Sequence, residues 1–314
     1  MLTKEVRFFS DGVAMGGLLR LPSQHDTDAS GPLAVVVHPP GWLGVADGPH
    51  YEPWHEAFVR AGFAVFVFDY RGFGASEGEP GWVRPDRQVD DLLAAVAFVG
   101  TLPEIDPDRI GVFGMGVTGG GHAIIAAAAD ESIKCVVAQT LIADGADWLH
   151  RMRREHEWVE LTDRVRADRV RWAVEGTGEL VHPRTDLMVE PPERRTHNPR
   201  RAIDQRLPQE YYLRNADLMM RYRPIDHVHR IAPRALMVVA VDGDVFTFAD
   251  HAVALYEKAG APKTLLRQTR TTHWESYRDN FDELSTQMAG WFTRHLVATP
   301  PIVRSTVLER TETA

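Results

Sequence analysis

Apolar and polar residues alternate along the chain with two different periods, and this alternation predicts the secondary structure. Several short stretches are unbroken apolar runs, which is typical of parallel strands buried on both faces. In chain order they are PLAVVVH (32–38), FAVFVFDY (63–70), RIGVFG (109–114), IKCVVAQT (133–140) and ALMVVAV (235–241). Between them, stretches such as RQVDDLLAAVAFV repeat apolar residues at i, i+3 and i+4, which favours helices. The pattern predicts a doubly wound α/β fold with a mostly parallel sheet.

Two further features frame this alternation. EVRFF and VAMGGLLRL, joined by a Ser-Asp-Gly turn, predict an N-terminal antiparallel hairpin. From 144 to 222 there is no strong strand pattern, and helical patterns flank the loop VEPPERRTHNPRR. We therefore expect a core from 1–143 and 223–298, an inserted helical cap from 144–222 and a tail from 299–314. The tail is expected to be loosely ordered and to dock on a neighbour, which makes a homodimer one expectation.

Composition and charge narrow the class of protein. The chain has 314 residues, of which 44% are hydrophobic and 25% charged, as in ordinary globular proteins. Its net charge of −9 argues against binding to nucleic acid. The N-terminus has no apolar stretch of signal-peptide length, no later run is long enough for a bilayer, and a single cysteine forms no internal disulfide. We expect a cytoplasmic protein with no nucleic-acid or membrane partner and no metal site.

The stretch GMGVTGGG (114–121) lies where a strand is predicted to enter a helix. Gly114, Gly116 and Gly119 have the G-x-G-x-x-G spacing of a dinucleotide-binding loop. That fingerprint also needs an acidic residue about 20 positions on, at the end of the next strand, to bind the ribose. The next strand ends at Gln-Thr (139–140), so the sequence disfavours a nicotinamide-dependent oxidoreductase and predicts no cofactor.

The same stretch also fits a nucleophile elbow, the strand–turn–helix that holds a nucleophile above an α/β sheet. Four further features of the chain agree with that interpretation. They are FDYRGFGASEGEP (68–80), DRIGVFG with GGGHAI, IKCVVAQ, and ALYEKAGAPKTL followed by His273. On these segments the chain resembles the α/β-hydrolase fold family, and within it the soluble esterase and dienelactone-hydrolase-like branch. The resemblance implies an enzyme with nucleophile, acid and histidine in that order, but it implies no particular substrate.

Asp244 and His273 stand where the acid and the histidine are expected. Each follows a predicted strand, and the carboxyl ends of parallel strands lie at one edge of a sheet. We therefore expect Asp244 to accept a hydrogen bond from His273 and to orient it as a general base.

The nucleophile position departs from the family's pattern. Counted from the preceding strand, the nucleophile falls on Gly116, which has no side chain. Counted back from His122, the loop is one residue longer, so the register stays open. In a shifted register Thr118 is the nucleophile; otherwise Thr118 caps the following helix.

The oxyanion hole departs from the pattern as well. The elbow should supply backbone N–H groups around Gly116, Val117 and Gly119. The loop after the first long strand should supply another, but there Pro39 and Pro40 have no N–H to donate. Loss of one such donor costs a serine hydrolase roughly 10²–10³ in rate. Chemistry that does not pass through an acyl-enzyme is therefore favoured.

The predicted cap contributes candidate contacts to a substrate. Trp148 and Tyr211 are apolar groups suited to lining a ligand pocket. Arg214 is a candidate partner for a substrate carboxylate. From 144 to 223 there are 16 arginines and no lysine against 15 acidic residues, so the segment is nearly neutral and is not a broad anion trap.

These features predict an enzyme that acts on a hydrophobic small carbonyl compound at an ester, thioester, amide or C–C bond. Either Thr118 attacks the carbonyl, or His273 with Asp244 acts as a base with no covalent step. In the second mechanism the base acts on water, or on the substrate in a lyase, isomerase or cyclase reaction, and we favour this mechanism. The alternative from another class is a non-catalytic ligand-binding protein on a hydrolase scaffold.

Overall fold

The computed structural model describes residues 1–23, 31–189 and 204–297. Within these ranges the strands are β1 (Leu2–Ser10), β2 (Val13–Leu21), β3 (Leu33–His38), β4 (Ala64–Phe68), β5 (Ile105–Met115), β6 (Ile133–Gln139), β7 (Leu180–Val181), β8 (Tyr211–Tyr212), β9 (Ala235–Val241) and β10 (Lys263–Gln268). The α-helices are α1 (Glu52–Arg60), α2 (Pro85–Val99), α3 (Gly116–Ala129), α4 (Gly145–Arg151), α5 (Glu155–Glu175), α6 (Arg214–Met220), α7 (Ala249–Lys258) and α8 (Phe281–Phe292).

The main sheet has the strand order β1-β2-β4-β3-β5-β6-β9-β10. From β4 to β10 all neighbouring strands in this order are parallel. β1 and β2 form an antiparallel hairpin, and β2 joins it to β4. The predicted α/β fold class, its mostly parallel sheet and its N-terminal hairpin are confirmed. The carboxyl ends of β5, β6, β9 and β10 lie side by side as a result.

Both faces of the sheet are covered, which explains why its strands read as unbroken apolar runs. In β3, Val35 and Val37 point into a core layer formed with α2 and α3, whereas Val36 points into a second layer formed with α1 and α8. All three valines are fully buried. Each parallel strand therefore needs apolar residues at successive positions rather than at alternate ones.

Close packing explains several glycines at the start of α3. A Cβ added to Gly120 would lie 2.7 Å from the Cβ of Leu141, and one added to Gly121 would overlap the hydroxyl of Tyr222. The helix begins at Gly116, four residues earlier than the predicted helix GGHAIIAAAAD. The glycines thus bring this helix against its neighbours.

The segment 144–222 holds α4, α5, α6 and the short antiparallel pair β7–β8. Two side-chain hydrogen bonds connect this segment, and the residue just before it, to other parts of the chain. The Asn215 carbonyl oxygen accepts a hydrogen bond from the backbone N–H of Val83 at 2.8 Å. The Nδ1 of His251 accepts one from the backbone N–H of Ala143, also at 2.8 Å.

Most of the predicted Pro- and Arg-rich loop, and the tail 299–314, lie outside the described residues. In the described ranges, no helix has both the length and the apolar composition needed to cross a membrane.

Candidate active site

Four neighbouring strands bring polar or unusual positions to one edge of the sheet. Gly116 follows β5 directly and Thr140 follows β6 directly. Asp244 lies three residues beyond β9, and His273 lies five residues beyond β10. Since ligands of open α/β sheets bind at the carboxyl ends of the strands, this edge is the candidate site.

Asp244 and His273 form a buried hydrogen-bonded pair. Oδ2 of Asp244 lies 2.7 Å from Nδ1 of His273, and it also accepts from the hydroxyl of Thr247 at 2.5 Å. Oδ1 accepts from the backbone N–H groups of Phe246 and Thr247, both at 2.7 Å. Burial by itself raises the pKa of the Asp244 carboxyl, but the His273 charge and the hydrogen bonds outweigh it and hold this pKa below its usual value. An ionised carboxylate only accepts hydrogen bonds, so Nδ1 of His273 carries a proton.

The other imidazole nitrogen of His273 meets a tyrosine hydroxyl. Nε2 lies 3.1 Å from Oη of Tyr277, and that oxygen lies 2.9 Å from Oγ1 of Thr140. Oγ1 of Thr140 also accepts from the backbone N–H of Gly116 at 3.3 Å and donates to the carbonyl of Gln139 at 2.8 Å. Sequence reasoning missed Tyr277. The one indication in the sequence was its place four residues after His273, a spacing that brings two side chains together when the chain makes a helical turn.

Gly116 occupies the sharp turn of the elbow and leaves it without a side chain. Its φ is +83°, in the left-handed region that favours glycine. A Cβ added there would have the Cα of Gly41 as its nearest contact, at 3.4 Å. This is ordinary van der Waals distance, so the site has room for a small side chain that the sequence does not supply.

The structure places Thr118 inside a helix and away from the cavity lining. It is the third residue of α3 and only 1% exposed. The N-cap of α3 is Met115, and no side chain caps it, so the predicted capping role of Thr118 is wrong. Thr118 is also absent from the cavity lining that contains His273 and Gly116. Because α3 begins at Gly116, Thr118 already lies within its first turn, where it is buried.

The loop after β3 packs on the elbow through its carbonyl groups. A Cβ added to Gly119 would lie 2.7 Å from the carbonyl oxygen of Pro39 and 3.1 Å from that of Pro40. Gly119 and Pro40 therefore fit each other by close packing, and neither lines the cavity, although the N–H of Gly119 was a predicted oxyanion donor and Pro40 marked the loop that lacks one. The next backbone N–H, that of Gly41, donates to Oη of Tyr51 at 2.9 Å. Val117 does line the cavity, at the N-terminus of α3.

Two buried histidines support this loop from below. Nδ1 of His38 lies 2.6 Å from Nε2 of His55, and the His38 ring packs edge-on against Tyr51 with 4.5 Å between centroids. Burial lowers the pKa of His38 to about 3. His38 is therefore neutral at physiological pH, and it acts as a packing group under Tyr51.

A cavity of about 50 Å³ joins these groups. Its lining includes Gly116, His273 and Tyr277 together with apolar and aromatic side chains. The apolar and aromatic members are Trp42, Leu43, Tyr51, Met115, Val117, Met188, Phe246 and Trp274. A larger cleft, of about 520 Å³, lies along the N-terminal hairpin. Its lining has neither His273 nor Gly116, which both line the smaller cavity, so the smaller cavity is the candidate active site.

The cap residues predicted to contact substrate do not line this cavity. Trp148 is fully buried next to the cavity-lining residue Phe246, and its Nε1 donates to the carbonyl of Phe246 at 2.9 Å. Tyr211 is fully buried in β8, with its ring 6.2 Å from that of Phe73. Arg214 lies over the ring of Trp172 at 5.7 Å. The three side chains instead pack within and around the segment 144–222, and their contact with a substrate stays a prediction.

The arginine that does line the cavity is Arg184, which the sequence analysis did not single out. It is 7% exposed and lies in a helical turn, Pro183–Leu187. Arg153 holds that turn by donating to the carbonyls of Asp186 and Leu187 at 2.8 and 2.9 Å. No aspartate or glutamate is part of the cavity lining, so Arg184 supplies its only permanent formal charge among the described residues.

The glycine stretch and the described side chains offer little to a cofactor. A Cβ added to Gly114 would overlap the carbonyl of Gly119, so the stretch is folded closely on itself. A pyrophosphate needs an open loop whose N–H groups face outward. In the described part of the chain, no cluster of three His, Cys, Asp or Glu side chains is arranged to hold a metal ion.

Comparisons with known proteins agree with this architecture. The model of a family described as X-Pro dipeptidyl-peptidase (S15 family) matches residues 11–275. An uncharacterized 31.7 kDa protein of Escherichia coli is 26% identical over 296 residues, covering 91% of this chain and 97% of that protein. Thiohydrolase aneE of Aspergillus aculeatus is 36% identical over 137 residues, covering 43% and 40%. The structure of DcsB in complex with its substrate analogue has a TM-score of 0.80 at 18% identity, covering 94% and 99%, which shows a shared fold.

Proposed function

This chain belongs to the X-Pro dipeptidyl-peptidase (S15) family, whose relatives and α/β-hydrolase fold mark it as a hydrolase-like enzyme, and we propose that it cleaves an acyl bond without an acyl-enzyme. His273, oriented by Asp244, acts as the base. The substrate is a hydrophobic small carbonyl compound, an ester or thioester, and the nucleophile is water.

The observation that carries this proposal is an elbow with its histidine and acid in place but no nucleophilic side chain. Asp244 lies 2.7 Å from His273, whereas the turn beside them holds Gly116. An acyl-enzyme needs a side-chain nucleophile activated by a neighbouring base. Thr118, the candidate left by the sequence, lies within α3 and outside the cavity lining.

The geometry suits a single displacement by water. His273 draws a proton from a water molecule while the water oxygen bonds to the substrate carbonyl carbon. The imidazolium that forms is stabilised by the Asp244 carboxylate. Negative charge develops on the carbonyl oxygen near Val117, at the N-terminus of α3, where the helix dipole favours an anion. When the tetrahedral intermediate collapses, the imidazolium returns the proton to the leaving oxygen or sulfur.

The cavity lining supports a substrate class. Its aromatic and apolar side chains favour a hydrophobic body. Its one permanent charge belongs to Arg184, whose planar guanidinium suits a carboxylate or another anionic group. A small apolar acyl compound that also carries an acidic group fits both features. The name of the relative from Aspergillus aculeatus, a thiohydrolase, supports an acyl bond as the point of cleavage.

Turnover in ¹⁸O-labelled water tests the proposal. The probes are p-nitrophenyl butyrate and S-phenyl thioacetate, and the variants are His273→Ala and Thr118→Ala. The matched control is His150→Ala, since His150 pairs with Glu155 at the surface. We expect one ¹⁸O in each acid product, loss of about 10²–10⁴ in kcat for His273→Ala, and near wild-type rates for the other variants.

Three outcomes contradict the proposal. A covalent adduct on the wild-type protein, mapped to residues 114–121, together with a folded but inactive Thr118→Ala variant, restores the acyl-enzyme route. Product formed without ¹⁸O identifies a lyase, isomerase or cyclase reaction. Ligand binding without His273-dependent turnover of any probe identifies a binding protein.

A further inference from the structure

We infer that Tyr277 is a catalytic residue that carries the proton between the substrate side of the cavity and His273. This inference rests on the proposed base role of His273 and adds the route by which the proton moves. In a serine hydrolase, Nε2 of the histidine is hydrogen-bonded to the nucleophile hydroxyl. Here the hydroxyl at Nε2 belongs to Tyr277, at 3.1 Å.

Tyr277 is placed to touch reactants as well as His273. It is half-buried and lines the same cavity as Gly116. Its position is fixed by a short helical turn, Glu275–Tyr277, which begins two residues after the histidine. Within that turn the hydroxyl of Ser276 donates to the carbonyl of His273 at 2.7 Å. The phenol is thus presented to the cavity by the backbone segment that also holds the base.

The hydrogen bonds around Tyr277 accommodate both protonation states of His273. Either hydroxyl of the Thr140–Tyr277 pair can donate to the other at 2.9 Å, and Oγ1 of Thr140 has the carbonyl of Gln139 as a second acceptor at 2.8 Å. When His273 is neutral, with its proton on Nδ1, Nε2 accepts the phenolic proton. When His273 is an imidazolium, Nε2–H donates to Oη, and the phenol turns its proton to Thr140. When His273 is neutral the Thr140 hydroxyl donates to Oη, and when His273 is charged the phenol donates to Oγ1, so rotation of the two O–H bonds keeps both contacts of Oη hydrogen-bonded.

Thr140 has an unusual backbone that builds this arrangement. Its φ is +50°, although it is a β-branched residue, for which the left-handed region is strongly disfavoured. Such strain persists where the surrounding structure fixes it, and it concentrates at functional sites. In this conformation Oγ1 reaches both the N–H of Gly116 and the hydroxyl of Tyr277. Thr140 is accordingly a positioning residue for the phenol.

The proton transfer balances without any further reactant. A water proton moves to Oη of Tyr277 while the phenolic proton moves to Nε2 of His273. The water oxygen forms its bond to the carbonyl carbon in the same step. The phenol ends neutral, the imidazole ends as imidazolium beside Asp244, and reversal of the two transfers protonates the leaving group.

The variants Tyr277→Phe and Thr140→Val test the relay. The matched control is Tyr256→Phe, since Tyr256 packs against Lys263 at a ring distance of 4.6 Å and is not part of the cavity lining. With p-nitrophenyl butyrate we expect kcat of Tyr277→Phe to fall about 10²-fold or more, with KM within about twofold of wild type. Thr140→Val should lower kcat as well, and Thr140→Ser, which keeps the hydroxyl, should restore most of it.

Two readouts separate a relay from a merely structural role. In mixtures of H₂O and D₂O, the wild-type rate should give a curved proton inventory, because two protons move together, and Tyr277→Phe should give a straight line. The ¹⁵N resonance of Nε2 of His273 should shift in Tyr277→Phe toward that of a nitrogen without a donor, whether or not any probe is turned over.

The outcomes distinguish this inference from the function on which it rests. A folded Tyr277→Phe with wild-type kcat, beside an inactive His273→Ala, overturns the relay and leaves the base role standing. An active His273→Ala removes the base role and the relay with it. An unchanged Nε2 resonance in Tyr277→Phe contradicts the hydrogen bond itself.

Discussion

Oδ2 of Asp244 lies 2.7 Å from Nδ1 of His273, and both side chains are almost completely shielded from solvent. Burial by itself raises the pKa of the carboxyl, but the His273 charge and the hydrogen bonds outweigh it and keep this pKa below its usual value of 3.8. A carboxyl with a lowered folded pKa stabilises the fold above its unfolded pKa. That contribution is lost as the pH falls through the folded pKa.

Acid should therefore remove the stabilisation that Asp244 provides. We expect Asp244→Asn to lower the free energy of unfolding at neutral pH, and the difference from wild type to shrink below about pH 4. Chemical denaturation of both proteins over that range measures the difference. Asp163→Asn, which alters an exposed pair with Arg166, is the control and should change little at any pH. A difference that stays constant down to pH 3 would show that the Asp244 carboxylate does not contribute as an ion.

His122 should make the protein sensitive to milder acid. It is fully buried, with Nε2 3.1 Å from Oε1 of Gln88 and Nδ1 2.9 Å from Oη of Tyr222. Burial lowers the pKa of His122 to about 3. The unfolded chain therefore binds a proton at a higher pH than the folded chain, and stability falls as the pH drops from its unfolded value of 6.5.

The expected loss from His122 is at most about 1.4 kcal/mol for each pH unit below that value. His122→Gln should show a shallower decline of unfolding free energy between about pH 6.5 and pH 4 than the wild-type protein. His229→Gln, at an exposed site, is the control and should follow the wild-type curve. Equal slopes for His122→Gln and wild type would mean that His122 is protonated in the folded state.

The sequence was sufficient to predict the sheet and the acid–histidine pair, and the reason is topological. A strand buried on both faces must be apolar at nearly every position, so β3 and β9 can be recognised in the sequence as unbroken apolar runs. Residues shortly after parallel strands must lie at one edge of the sheet, so the approach of Asp244 to His273 follows from their places in the chain.

The remaining parts of the site depend on local backbone geometry, which the periodicity of apolar residues does not encode. Tyr277 reaches His273 because a single helical turn follows the histidine, and Thr140 reaches Tyr277 only through a positive φ. Arg184 lines the cavity from the irregular turn Pro183–Leu187, whereas Arg214, on a regular helix, stacks on Trp172. Thr118 was misjudged because a shift of the helix start by a few residues decides which side chain faces the cavity.

Arg184 should select for substrates with an anionic group. The matched probes are monomethyl glutarate and methyl 5-methylhexanoate, which have the same ester and chain length but end in a carboxylate or an isopropyl group. We expect the wild-type protein to prefer the anionic ester in kcat/KM, and Arg184→Met to lose about 10-fold or more of that preference. Arg214→Met, the control, should keep it, since Arg214 stacks on Trp172. A preference that survives in Arg184→Met would place the anion-binding group elsewhere.

Gly116→Ser should convert the vacant elbow into one that accepts a covalent label. A Cβ at this position has its nearest contact at 3.4 Å, so the cost is mainly that of a side chain at a φ of +83°, about 1–2 kcal/mol. The new hydroxyl would lie beside the base that the fold already holds, and a hydroxyl next to an oriented histidine becomes a nucleophile. We expect a fluorophosphonate probe to label Gly116→Ser and to leave the wild-type protein unlabelled, as read by intact-mass spectrometry.

Two controls isolate the cause of that labelling. Gly176→Ser adds a serine at a similar φ of +71° with open space around it, and it should stay unlabelled. The double variant Gly116→Ser with His273→Ala should also stay unlabelled, because the hydroxyl then has no base. Labelling of the wild-type protein at Thr118 would contradict the vacancy. A Gly116→Ser protein that is folded but inert toward the probe would show that His273 does not face the elbow in solution, and the base role assigned to it would then fail together with the vacant-elbow mechanism.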